Sequence, residues 1–479
     1  MDAKTKDVLR WFEEIAKIPR RSKNEGQICA WLAKWAEDNG FGVKKDAVEN
    51  ILIQVPATAG YEGSTPVVIQ GHMDMVCEKA KGFEFNFETD PIKLVYDGDW
   101  LTADRTTLGA DNGIAIAMAM AVSLDKDQPH PPLELLFTVD EETGLTGAVA
   151  LEPGFLKGKT LLNVDSEDEG VFTVGCAGGK DTKMTLPLDT EAVPAGYKPF
   201  ALVAGGMSGG HSGVDIHEQR ANGIQVLARA LNEVFKASDL RLYSLTGGTA
   251  HNAIPRDAEA VIALPGDAAD AAQKIVKDLA GVLKGAHGST DPNISLVLEA
   301  GEATGEALTA ASSRKAVDFL LAVPHGVADM SLDIAGLVET SNNLAEAKLV
   351  GGKLTALTSQ RSSDMNKLGL LTDRIEAVTR GFGGVAKSGK GYPAWQPNMD
   401  SPLLAKCKAV YKELMGKDPV VEIIHAGLEC GIIGAKYEGM DMISFGPTIK
   451  NPHSPDEKLE IKTIGQVYEF MGALLKALK

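Results

Sequence analysis

Cysteine is scarce in this chain. There are five in 479 residues, Cys29, Cys77, Cys176, Cys407 and Cys430, and no two lie close together. That excludes a zinc knuckle or a CxxC redox pair and predicts reduced, mostly buried thiols. Long apolar runs are missing as well: none approaches the ~20 residues of a membrane span, so no membrane partner is expected. The opening Met1-Asp2-Ala3-Lys4-Thr5-Lys6-Asp7 alternates in charge and lacks the apolar stretch of a signal peptide, which predicts a cytoplasmic location. Basic residues are outnumbered, 48 Lys and Arg against 65 Asp and Glu, for a net charge of −17. Nucleic acid and anionic lipid both require a basic surface, so neither is an expected partner.

What remains is ordinary globular composition, 44% hydrophobic and 24% charged, in a chain long enough for two or three domains. Helical spacing of Val8, Leu9, Phe12, Ile15 and then of Ile28, Trp31, Leu32, Trp35 predicts two helices within residues 7–39. Short β-type runs follow at 51–55, 67–69, 133–139 and 160–164, with a buried Ala/Met/Ile-rich helix at 113–124. Strands alternating with helices predict an α/β domain with a central, mostly parallel sheet flanked by helices. After the glycine-rich 175–179 the texture changes, with helices at 221–235 and 268–283 and strands at 258–264 and 294–298. This reads as an inserted α+β domain whose end is marked by Gly381-Phe382-Gly383-Gly384 and residues 387–392. The expected division is 1–180, 181–387 and 388–479, the first and last segments forming one discontinuous domain.

Five polar clusters sit at or beside the ends of the expected strands, where open α/β sheets bind ligands. In Gly71-His72-Met73-Asp74, a His and an Asp two apart on extended chain point the same way, so Asp74 can hold the second nitrogen of a metal-bound His72. In Gly109-Ala110-Asp111-Asn112-Gly113, a carboxylate between glycines can approach a metal closely, although taken alone Asp111 reads rather as a helix N-cap. Asp140-Glu141-Glu142 places three acids at the end of an apolar strand, where bound cations would relieve their repulsion. Glu141 and Glu142 can there divide the work of base and ligand; the plain alternative is a solvated acidic turn. In Asn163-Val164-Asp165-Ser166-Glu167-Asp168-Glu169, Asp165 is the expected ligand and the three later acids are expected in solvent. In Asn451-Pro452-His453-Ser454-Pro455-Asp456-Glu457, two prolines hold His453, or simply stiffen a surface turn. Two His and three carboxylates without thiolates suit two divalent ions, Zn²⁺ first, with Co²⁺ or Mn²⁺ in its place. One carboxylate bridging ions ~3.5–4 Å apart would make a two-metal hydrolytic site.

The order of these motifs resembles the co-catalytic zinc metallopeptidases that include aminoacylase and bacterial carboxypeptidase G, and most closely their aminoacyl-histidine (cytosol non-specific) dipeptidase branch, over essentially the whole chain. The resemblance implies that the discontinuous domain is catalytic and the inserted one a lid and dimerisation domain. It implies His72 and Asp165 on one metal, Glu142 and His453 on the other, Asp111 bridging, Glu141 as general base and Asp74 behind His72. It further implies His211, in Gly209-Gly210-His211-Ser212-Gly213, as stabiliser of the oxyanion, and Asn252 as a substrate contact. Arg361 is the candidate for a substrate carboxylate, since Arg binds carboxylate bidentately. Gly427 and Glu429 are candidates to meet the substrate, Glu429 at its free amino group. The expected function is hydrolysis of unblocked dipeptides, Xaa-His among them, by a homodimer whose lid closes during turnover. Two rivals are carried along: an aminoacylase or carboxypeptidase acting on N-acyl substrates, and a non-catalytic metal-binding scaffold.

Overall fold

The apolar face of Val8, Leu9, Phe12 and Ile15 builds the helix Ala3–Ile15, whose first turn is capped by Asp2 accepting the Thr5 N–H at 2.8 Å. This helix packs against Ala110–Leu124, in which every residue from 112 to 122 is buried. Alanines and glycine there let the helix approach both its neighbour and the strand Val67–His72 closely. The computed structural model describes residues 1–479 apart from Asp333 and Ala335, and divides the chain into two units.

The first unit comprises Met1–Cys176, Trp395–Ile423 and Leu428–Lys479. Its eight-stranded sheet runs in the order Gly42–Lys45, Ile51–Val55, Leu133–Thr138, Val67–His72, Thr160–Asn163, Asp441–Ser444, Val171–Cys176, Val420–Ile424. Pairing is parallel from Leu133–Thr138 through Val67–His72 and Thr160–Asn163 to Asp441–Ser444. It is antiparallel among the first three strands and between Asp441–Ser444 and Val171–Cys176. The sheet is therefore mixed, which corrects the mostly parallel expectation. A short connection such as 46–50 can join only antiparallel neighbours, and parallel pairing is confined to the centre, where both faces are covered. Val67–His72 and Leu133–Thr138 are buried at every position. Early and late segments of the unit are joined by an aromatic cluster of Phe172, Tyr411, Phe445 and Phe470, with ring centroids 5.0–6.3 Å apart.

The second unit comprises Ala177–Ala394 and Ile424–Gly427. It holds a nine-stranded sheet whose pairings are antiparallel, ordered Ser295–Ala300, Tyr197–Gly205, Ala258–Pro265, Arg241–Gly247, Val338–Val350, Lys353–Ser362, Gly178–Pro187, Val385–Ser388, with Gly326–Met330 beside Val338–Val350. Helices Gly223–Ala237, Ala269–His287, Ala310–Ala322 and Met365–Gly381 supply much of its core. Residues 381–384 are no linker but the turn from the last of these helices into Val385–Ser388, which pairs with Gly178–Pro187. Tyr392 is bridged to Gly179 inside the same unit, and the crossing comes at Ala394.

Candidate active site

Buried from end to end, the strand Val67–His72 delivers His72 at its C-terminus with 1% of its surface exposed. Gly71 is required beside it, since a Cβ there would lie 2.3 Å from Asn112 Oδ1 and 2.8 Å from Ala115. Asn112 uses its amide to tie strand ends together, accepting the His72 N–H at 3.2 Å and donating to the Val164 carbonyl at 2.7 Å. Asp74 is fully buried and does two things. One oxygen lies 3.2 Å from His72 Nδ1, and the pair accepts the N–H groups of Glu141 at 3.0 Å and Glu142 at 3.2 Å, with Ser22 Oγ at 2.8 Å. One carboxylate thus orients the imidazole and holds the acidic turn.

Asp111 lies where the chain leaves Gly109 to enter its helix, in a non-helical conformation (φ −78°, ψ 107°), so it is not a simple N-cap. Its two oxygens face two different imidazoles: Oδ1 is 3.0 Å from His72 Nε2, and Oδ2 is 3.1 Å from His453 Nε2. Asp165 Oδ1 is 3.5 Å from His72 Nε2, and Glu142 Oε2 is 3.1 Å from His453 Nε2. Three overlapping groups result, His72/Asp111/Asp165, Asp111/Glu142/His453 and His72/Glu141/Glu142, each with its ligand atoms within 4.8 Å of one another. Asp140 stands apart from them: it adopts φ +50° and takes the Thr143 and Thr146 hydroxyls.

The charge balance of this cluster is uncomfortable without a cation. Burial, reinforced by Glu142, Asp165 and Glu429, pushes Glu141 well above the carboxylate range, and burial raises Glu142 and Asp165 too. Burial works against protonation of His72 and His453, yet the facing carboxylates win: His72 is raised well above its ordinary value and His453 to about 11. Asp111 is held low by the same two imidazoles against the effect of burial. Glu142 Oε1 is buried and without a hydrogen-bond partner. An orphaned carboxylate oxygen, and imidazoles that keep protons only to balance the acids around them, fit a site whose positive charge is meant to come from metal ions.

Two of the three acids after Asp165 depart from the expected solvent exposure. Glu167 is not solvated: burial and the charge of Asp111 push its carboxyl to about 8. Glu169 accepts from the Tyr411 hydroxyl at 2.6 Å, which leaves Asp168 as the exposed acid of the three. Glu429, expected at a substrate amine, is instead fully buried at the start of the helix Glu429–Lys436. Its Oε2 is taken by Gln70 at 2.5 Å and Thr138 at 2.7 Å, and burial raises it to about 8. Its Oε1 is buried and, like Glu142 Oε1, has no hydrogen-bond partner. Sequence reasoning passed over Arg20 and gave Glu457, at the end of the His453 cluster, no role; both are buried and hold the turn before Asp111. Buried ion-bearing side chains of this kind leave no periodic mark in a sequence.

Within the second unit another polar cluster forms. His211 Nδ1 accepts the N–H groups of Gly213 at 3.2 Å and Val214 at 3.0 Å, and the His211 backbone N–H donates to Asp215 at 2.8 Å. Accepting at Nδ1 puts the proton of the neutral ring on Nε2. Ser212 donates its N–H to the Asn252 carbonyl at 2.8 Å, while the Asn252 residue itself is exposed. Arg361, 6% exposed, donates to Tyr392 Oη at 3.0 Å and is the cross-strand partner of Ser341, whose Oγ lies 2.7 Å from His425 Nε2. Burial, with Arg361 and His211 nearby, lowers His425 to about 3, so it is neutral. A Cβ on Gly213 would meet the His425 carbonyl at 2.2 Å, and one on Gly427 the Tyr392 ring at 2.9 Å. His211, Asn252, Arg361 and Gly427 are therefore gathered in one region of this unit. The buried atoms Ser212 Oγ, Asn343 Oδ1, Arg361 Nε and His425 Nδ1 have no hydrogen-bond partner.

Comparison with known proteins adds three findings. Residues 68–477 match the pattern of peptidase family M20/M25/M40. The chain is 40% identical over 465 residues to the cytosol non-specific dipeptidase of Escherichia coli K12, covering 97% of this chain and 96% of that one. It superposes with a TM-score of 0.86 and 40% identity on the aminoacylhistidine dipeptidase of Vibrio alginolyticus, covering 98% of this chain and 96% of the other.

Proposed function

The chain belongs to peptidase family M20/M25/M40, and we propose that it hydrolyses the peptide bond of unblocked dipeptides, Xaa-His among them, at a pair of divalent metal ions. The observation that carries this reading is Asp111, whose two oxygens lie 3.0 and 3.1 Å from different imidazoles, each set closed by one further carboxylate. His72, Asp111 and Asp165 would hold one ion and Asp111, Glu142 and His453 the other. Nitrogen and oxygen donors without thiolate favour Zn²⁺ and also accept Co²⁺ or Mn²⁺. The two relatives, at 40% identity over nearly the whole chain, are dipeptidases by name, which supports free dipeptides over N-acyl substrates. A cytoplasmic homodimer is part of the same proposal.

When bound, the ions supply Lewis acidity at the scissile carbonyl and make the attacking water a better acid. Glu141 takes the proton from that water and returns it to the leaving amine nitrogen. Asp74 keeps the His72 ring in register through Nδ1 and fixes the turn that carries Glu141. In the second unit, His211 donates from Nε2 to the carbonyl oxygen as charge develops on it. Arg361 takes the C-terminal carboxylate of the substrate, with Gly427 and Asn252 as further contacts. The test is a panel of free and N-acetylated dipeptides assayed before and after chelation. Activity on free dipeptides that a chelator abolishes and Zn²⁺ restores is expected. Preference for N-acylated substrates would move the assignment to an aminoacylase, and no hydrolysis by the metal-loaded protein would leave a scaffold.

A further inference from the structure

Two stretches of chain 346 residues apart meet at the side chain of Glu457. The turn before Asp111 leaves a run of unpaired donors, as any helix start does. Glu457 takes four N–H groups there: Oε2 accepts from Leu108 at 2.7 Å and Gly109 at 2.9 Å, and Oε1 from Ala110 at 2.8 Å and Asp111 at 3.3 Å. Glu457 is itself pinned. Its carbonyl accepts from Thr102 Oγ1 at 2.8 Å, and the next residue, Lys458, pairs with Thr102 in a small sheet. From the other side Arg20 closes on the same turn, donating to the Gly109 carbonyl and to those of Met73 at 3.1 Å and Asp74 at 2.8 Å. Gly109 (φ +70°) has no room for a side chain, because a Cβ would lie 2.4 Å from the Arg20 guanidinium.

We infer that Glu457 is the positioning residue of the metal centre. It splices the loop that carries His453 to the turn that carries Asp111, and so sets the shared carboxylate between the two imidazoles. Arg20 supplies the counter-charge and fixes the same turn to the end of the His72 strand. The geometry is specific to a carboxylate, since each of its oxygens accepts two N–H groups. An amide in its place would turn its own N–H₂ against at least one pair of donors. This inference rests on the two-metal reading above.

The test is Glu457→Gln beside the unaltered protein, both stripped of metal and titrated with Zn²⁺, with metal content measured on the same samples. Circular dichroism and melting of the metal-free forms check folding, and kcat and KM are taken on the loaded forms. The expected result is a variant that folds, binds the ions ~10–100-fold more weakly and loses kcat at least ~10-fold with KM little changed. Glu457→Asp, which keeps the charge on a shorter arm, should recover part of both. Two tightly bound ions and normal kcat in Glu457→Gln would overturn the inference while leaving the two-metal reading intact. Failure of the unaltered protein to bind two ions would instead remove that reading itself. Should both variants fail to fold without metal, Glu457 would be a determinant of the fold and the inference would equally fall.

Discussion

The two units carry polar clusters of opposite character. In the first, half-buried acids outnumber the imidazoles that face them: Asp111, Glu141, Glu142 and Asp165 lie about buried His72 and exposed His453, and an acceptor, Glu142 Oε1, is left unsatisfied. In the second, Arg361 Nε is a buried donor with no acceptor, beside neutral His425, whose Nδ1 is also unpaired. Each unsatisfied buried group costs about 1–3 kcal/mol. A fold retains such costs when a ligand relieves them. The first arrangement suits cations and the second an anion.

The largest effect that would sharpen this contrast lies with Glu141, which belongs to the first cluster without being one of the proposed bridging set. Glu141→Gln should lower kcat by ~10²–10⁴-fold, the usual worth of a positioned proton-transfer group, and leave metal content unchanged in metal analysis. Normal turnover would remove it as the base. Next comes Arg361→Ala in the second cluster. Losing charge-assisted hydrogen bonds of about 1.5–3 kcal/mol should weaken dipeptide binding ~10–100-fold, read as KM, with metal affinity unmoved. Equal loss of metal would break the division of labour between the clusters. The smallest change separates fold from site within the second unit. Asp364 caps the helix Met365–Gly381 by accepting from Asn366 at 2.8 Å and Lys367 at 3.4 Å, so Asp364→Ala should cost about 1 kcal/mol in denaturant unfolding. Its KM for dipeptides should stay as it was.

Much of the first unit is legible because its signals are local. Apolar runs with period-two or unbroken burial mark the central strands, and the chemistry-bearing residues come directly at or after their ends, as with His72, Asp140 to Glu142 and Asp165. The second unit is harder to read. Val338–Val350 and Lys353–Ser362 pair over ten positions, yet they bury Thr, Ser, Asn and Gln where an apolar alternation would be sought. Several of their polar side chains are paired across strands, as Gln360 is with Asn342 and Thr182, and single-chain pattern cannot show that. The same blindness hides the packing of Glu429, whose partners Gln70 and Thr138 lie 359 and 291 residues away.

Residue type and position along the chain were enough to bring out the clusters around His72, Asp111, Glu141 and Glu142, Asp165 and His453, and the resemblance of their order to a known family singled out the ligands among them. Which oxygen of Asp111 faces which imidazole, the return of Ile424–Gly427 to the second unit, and the grip of Arg20 and Glu457 on one turn were decided only by folding. Those features are hydrogen bonds and burial between segments hundreds of residues apart, and their energies exist only once the chain has brought the partners out of water together.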